Sequence, residues 1–182
     1  MSEVQSAGTP LPSGPLGRAL VGTCKVFAMA GALVFVGIVV MSVISITGRK
    51  LFSHPIQGDV EMLQMCAAFG AAPFFAWAHL NGADVKVDFF TTRLSAATVH
   101  RLDAFGSLLV AVFGGLIAWR AGAGALVVKE AGESSMLLEW PLWAPQMAMV
   151  PGFVLLACAG LYQAWRHLHA AAHPPIPTEV QP

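Results

Sequence analysis

Three stretches of the chain run without an Asp, Glu, Lys or Arg: 26–48, 62–83 and 140–165, of 23, 22 and 26 residues. At 1.5 Å per residue each reaches roughly 33–39 Å as a helix, enough to cross a hydrocarbon layer about 30 Å thick. A fourth stretch, 104–119, has 16 such residues and extends past Arg120 to Val128, the residue before Lys129. Arg120 can snorkel from such a helix toward the headgroups. Lipid offers no water to unpaired backbone groups, so helices are the expected way across. A β-barrel would alternate apolar and polar residues in segments of about ten, and runs such as 28–43 do not alternate.

Composition agrees. Only 11% of the 182 residues are charged and 56% are hydrophobic, with a mean hydropathy of +0.67. Soluble domains carry about 25% charged residues. Ten basic residues balance ten acidic ones, so the chain lacks the basic field that a nucleic-acid partner needs. The expectation is an all-α integral membrane protein with four transmembrane helices, over about 24–48, 61–82, 104–127 and 140–165, within a membrane domain of 19–168. The segments 1–18 and 169–182, rich in Pro, Gly and Ser or in Pro alone, are expected to be disordered tails. The first apolar run exceeds the 7–15 residues of a signal-peptide core and has no clear cleavage site before Arg49 and Lys50, so it reads as an uncleaved span. Between spans two and three, Ser95 can cap a segment with Leu94, Thr98, Val99 and Leu102 on one side and His100, Arg101 and Asp103 mostly on the other. That segment is either a short interfacial amphipathic helix or a plain polar loop. Pro141 and Pro145 suit a first helical turn, and Pro151 a kink.

Four spans place both termini on one side. Arg18, Lys25, Lys86, Arg93, Arg101 and Arg166 share that side, against Arg49, Lys50, Arg120 and Lys129 on the other. The bias favours cytoplasmic termini. Asp59, Glu61, Glu130, Glu133 and Glu139 collect on the opposite side.

An ionisable group at the centre of a span is a functional-site hypothesis by default, and the clear spans have none. No catalytic residue, cofactor site or metal site is expected. The six histidines fall near span edges, in loops or in tails, where two axial haem ligands would not meet. His167, His169 and His173 form a loose grouping suited to incidental metal affinity. Cys24, Cys66 and Cys158 are widely spaced without a CxxC pattern and read as small hydrophobes. Gly70, Ala71, Ala72, Gly106, Gly114 and Gly115 would permit close helix packing.

Three polar constellations remain. The first joins spans one and two, with Arg49, Phe52, Pro55, Asp59 and Glu61, where Arg49 can pair with Asp59 or Glu61. The second leaves span two with Gly82, Asp84, Val85, Val87 and Asp88. The third has Gly132 and Ser135, then Pro141, Trp143, Pro151, Gly152 and Phe153. In this order on four spans they resemble the small permease subunit of tripartite ATP-independent periplasmic (TRAP) transporters, the DctQ-like family, over roughly residues 18–168. Two departures stand out: Asp84 where the family more often has His, and Gly58 where it usually has Trp.

The resemblance implies a non-catalytic scaffold in a bacterial inner membrane. Its partners would be a large permease subunit, which holds solute and sodium, a periplasmic solute-binding protein and membrane lipid. It also implies sodium-driven uptake of an organic anion such as a carboxylate. On this reading Arg49, Pro55, Asp59, Glu61, Asp84, Asp88, Trp143 and Pro151 are candidate subunit-interface or structural residues. Glu130, Glu133 and Glu139 are candidates for docking the binding protein. The competing classes are a haem-binding or anchor subunit of a membrane electron-transfer enzyme, and a self-sufficient small channel or transporter.

Overall fold

The structure, a computed structural model, describes residues 14–53, 56–83 and 96–172. They form four helices: α1 (Pro15–Phe52), α2 (Asp59–Leu80), α3 (Ala96–Ala131) and α4 (Trp143–Ala172). Each is long and apolar enough to cross a membrane. Local chemistry sets the ends. Pro15 occupies the first turn of α1, where its missing N–H costs nothing. Arg49 and Lys50 lie in the last turn of α1, and Asp59 and Glu61 in the first turn of α2. Each pair complements the dipole of its own helix.

With 38 and 36 residues, α1 and α3 are about 57 and 54 Å long, so both must tilt or reach past the hydrocarbon layer. Among the described residues of the segment 94–103, no separate interfacial helix forms; Leu94 and Ser95 lie outside them. Residues 98–103 are the opening turns of α3, which continues unbroken to Ala131. The reason lies in the helical period: His100 and Asp103 share a face with Ala104, Ser107 and Ala111, so the buried stripe simply extends backwards. α4 begins at Trp143 rather than Trp140, because Pro141 is drawn into a bridge with Ser134. Pro145 lies in the first turn as expected, and the helix runs on through Pro151.

The helices line up in a row, with α1 on α2, α2 on α4 and α4 on α3. Among the described residues α3 approaches neither α1 nor α2, and α1 only brushes α4. Small residues make the row. The buried side of α3 carries Ala104, Ser107, Ala111, Gly114, Ala118, Ala121 and Ala125, a seven-residue repeat of the kind that keeps one seam facing a partner helix. Against it, a Cβ on Gly160 of α4 would come within 2.7 Å of the Ala111 nitrogen and the Ser107 carbonyl oxygen. A Cβ on Gly152 would meet Ala72 of α2 at 2.7 Å, and one on Gly31 of α1 would meet the Gly70 carbonyl oxygen at 2.6 Å. In lipid, where burial of apolar area drives nothing, such close backbone approach is a main source of helix association. Gly70, Ala72 and Gly114 serve as expected, whereas Gly106 faces open space and Gly115 makes only loose contact. Cys24 is buried with Ala76, Leu80 and Ala159 where α1, α2 and α4 meet, a small hydrophobe as expected.

One buried polar group ties the row at the end where α1 begins and α4 ends. Gln163 of α4 donates from Nε2 to the carbonyl oxygens of His79 and Leu80, at 3.3 and 3.2 Å, serving the last carbonyls of α2. Arg166 donates in turn to Gln163 Oε1 at 3.1 Å.

Candidate functional site

At the opposite end, the α1–α2 turn meets the α3–α4 loop, and most of the charged candidates gather there. Asp59 and Glu61 stand two residues apart on the first turn of α2 and work in different directions. Asp59 faces back to α1. Its Oδ2 accepts from the fully buried Ser45 hydroxyl at 2.5 Å and from Arg49 Nη2 at 3.4 Å, while Oδ1 accepts from the Val60 N–H at 2.8 Å. Ser45 and Arg49 are four residues apart on α1, the spacing that places two side chains on one helical face. The Arg49 side chain remains 61% exposed, so most of its hydrogen-bonding capacity faces outward. An exposed pair of this kind contributes only about 0–1 kcal/mol to folding.

Glu61 faces the α3–α4 loop. Its carboxylate accepts from the Leu137 N–H at 3.2 and 3.3 Å and from the Leu138 N–H at 3.3 Å. The loop is also closed on itself: the Ser135 N–H donates to the Trp140 carbonyl at 2.8 Å and the Leu142 N–H to the Glu133 carbonyl at 3.2 Å. Glu61 therefore pins the tip of a pre-folded loop to the mouth of α2. Gly58 makes room for it. Its φ of +73° lies in the left-handed region, and a Cβ there would fall 2.6 Å from Leu138 Cγ. The left-handed glycine thus goes with a leucine from the loop, which fills the space above it.

Between α2, α4 and this loop lies a cleft of about 610 Å³, walled by Glu61, Gln64, Met65, Glu133, Gln146 and Met149 among others. At the same end of the row Lys129 lies 4.9 Å above the ring of Trp143, a cation–π contact across the end of α3 and the start of α4. Glu130, Glu133 and Glu139 are all exposed at this end.

The structure thus brings Arg49, Asp59, Glu61 and Trp143 to one end of the row, with the three outlying glutamates beside them. Pro151 lies on an exposed flank of α4, apart from that cluster. Pro55, Asp84 and Asp88 lie outside the described residues. Several participants escaped the sequence reading: Ser45, Leu138 and Gln163. A serine four residues before Arg49 was the one available signal for Ser45. The histidines are less peripheral than expected. His79 and His167 are buried, and His100, His167 and His169 all lie within helices.

Fold and site together define a multi-pass membrane protein built as an open row of helices, with most of its charge toward the ends. The family described as tripartite ATP-independent periplasmic transporters, DctQ component, matches residues 35–170. The match runs from the middle of α1 to the last turns of α4, and the chain belongs to this family as a small permease subunit of TRAP transporters. No curated protein and no solved structure matches it.

Glu61 gives this site a direct test. Glu61→Gln halves the acceptor capacity and removes the charge on the bonds to the loop tip, and a hydrogen bond to a charged group is worth about 1.5–3 kcal/mol. Amide hydrogen exchange at Leu137 and Leu138 is expected to quicken about tenfold or more, with exchange in the middle of α2 unchanged. Equal protection in the variant and the parent would show that the loop holds itself.

Proposed function

We propose that this subunit scaffolds the large permease subunit of its transporter during sodium-driven, binding-protein-dependent uptake of an organic anion such as a carboxylate. The observation that carries the proposal is the open row. A closed bundle would bury its apolar faces internally, but here α1 presents Val26, Met29, Leu33, Val36, Val40 and Val43 outward, and α3 presents Phe105, Val112 and Phe113. Such flanks suit lipid on one side and a larger helical partner on the other. Apart from Arg120 in α3, the middles of the spans offer no charged hook for an anion. Family membership favours a transporter component over the alternative of a haem-binding or electron-transfer anchor.

The proposed setting is a bacterial inner membrane with both termini in the cytoplasm. The loop end would then face the periplasm, where a binding protein arrives. Pro55, Asp59, Glu61, Asp84, Asp88, Trp143 and Pro151 are proposed as interface or structural positions alongside Arg49. Within that set two duties are proposed: Asp59, Glu61 and Trp143 make contacts inside this chain, whereas Arg49, with its side chain 61% exposed beside Asp59, keeps donors for a partner carboxylate or carbonyl.

Arg49→Ala is expected to lower copurification of the large subunit several-fold while leaving the melting temperature of the isolated chain within about 2 °C, since only an exposed ion pair is lost. An unchanged copurification yield would remove Arg49 from the interface. Reversal of charge at Glu130, Glu133 and Glu139 to Lys is expected to weaken association of the binding protein at low salt, with the difference shrinking as salt screens the contact. Association unaffected by the triple reversal at low salt would place docking elsewhere.

A further inference from the structure

At the terminal end of the row, α3 and α4 bring together three side chains that the transporter role does not use. His100 and Asp103 share a face of the first turns of α3, and His167 reaches them from the last turns of α4. The His100 and His167 rings have centroids 5.8 Å apart. His167 Nδ1 stands 3.9 Å from Asp103 Oδ2, with side chains only 8% and 25% exposed. One ligand atom from each of the three lies within 4.8 Å of the others. Independently, His100 Nδ1 is buried with no hydrogen-bond partner among the described residues. A buried polar atom left in that state costs free energy unless something binds it.

We propose that His100, Asp103 and His167 form a binding site for a divalent transition-metal ion of the Zn²⁺ class. Two imidazole nitrogens and one carboxylate oxygen are the donor set of three-ligand zinc sites, and they leave a fourth tetrahedral position to water. Zinc ligands at about 2.0–2.2 Å lie roughly 3.3–3.5 Å from one another, so the three groups need to close by only about an ångström, within reach of small side-chain rotations. Asp103 supplies the negative charge and its partial exposure gives a route from water, while the orphaned His100 nitrogen gains a partner. The ion would act as a staple. Among the described residues α3 packs against α4 alone, so a bond across their ends reinforces the one seam that holds this edge helix. The tail grouping of His167, His169 and His173 is not this site: His169 turns to Trp165, with ring centroids 4.5 Å apart.

The test uses the full chain, purified in detergent on a histidine-free tag and stripped with chelator, with Zn²⁺ as the probe. Equilibrium dialysis is expected to find one ion bound per chain in the micromolar range, and Zn²⁺ should raise the melting temperature by several degrees. His100→Gln and His167→Gln should lose both effects while keeping the helical circular dichroism of the parent. Asp103→Asn, which preserves shape, should weaken binding at least tenfold and so tests the site should a histidine variant fail to fold. His169→Ala combined with His173→Ala should bind as the parent does. No ion bound by the parent, undiminished binding in folded His100→Gln, His167→Gln or Asp103→Asn, or loss of binding in the His169/His173 variant would each overturn the assignment.

Discussion

Water is missing from the environment of most of this chain, and that single constraint orders the rest of the structure. Without water, each backbone amide must find its partner inside a helix, which fixes the class of fold. Without water there is also little hydrophobic push between helices, so association falls to surfaces smooth enough for backbones to touch. Gly31 against Gly70, Gly152 against Ala72, and Gly160 against Ala111 and Ser107 are those surfaces. Most charge is driven toward the helix ends, where it becomes available for recognition.

The ends then divide the labour. At the loop end, two carboxylates two residues apart, Asp59 and Glu61, join α2 to α1 and to the α3–α4 loop. At the terminal end, Gln163 supplies donors to the last carbonyls of α2, and the His100, Asp103 and His167 cluster faces across the α3–α4 contact. Neither end needs a charge in the middle of a span. The same economy explains why the row stays open: each neighbouring pair is satisfied by its own seam of small residues, and nothing draws α3 round to α1.

The presence of four membrane-crossing helices was readable from the runs without charge, because lipid penalises a charge so heavily that its absence over twenty residues is a strong signal. Helix ends were less readable. Arg101 and Asp103 suggested a segment distinct from the third span, yet α3 runs through them because its buried face keeps register from His100 to Ala125. The pairing of Arg49 with Asp59 could be anticipated from opposite charges flanking a short turn. The bond from Glu61 to the Leu137 and Leu138 amides could not, since the partners are backbone groups 76 and 77 residues away and leave no mark in side-chain identity. Gln163 and the His100–His167 meeting were hidden for the same reason. Each depends on the α2–α4 and α3–α4 seams, which only the three-dimensional packing reveals.

As the proposed scaffold, this chain would support transport without carrying solute itself. The most direct test is reconstitution in liposomes with an imposed sodium gradient and a labelled organic anion presented by the cognate binding protein. No uptake is expected by this chain alone, none or little by the large subunit alone, and sodium-dependent uptake when both are present. Accumulation driven by this chain in the absence of the large subunit would contradict the scaffold role.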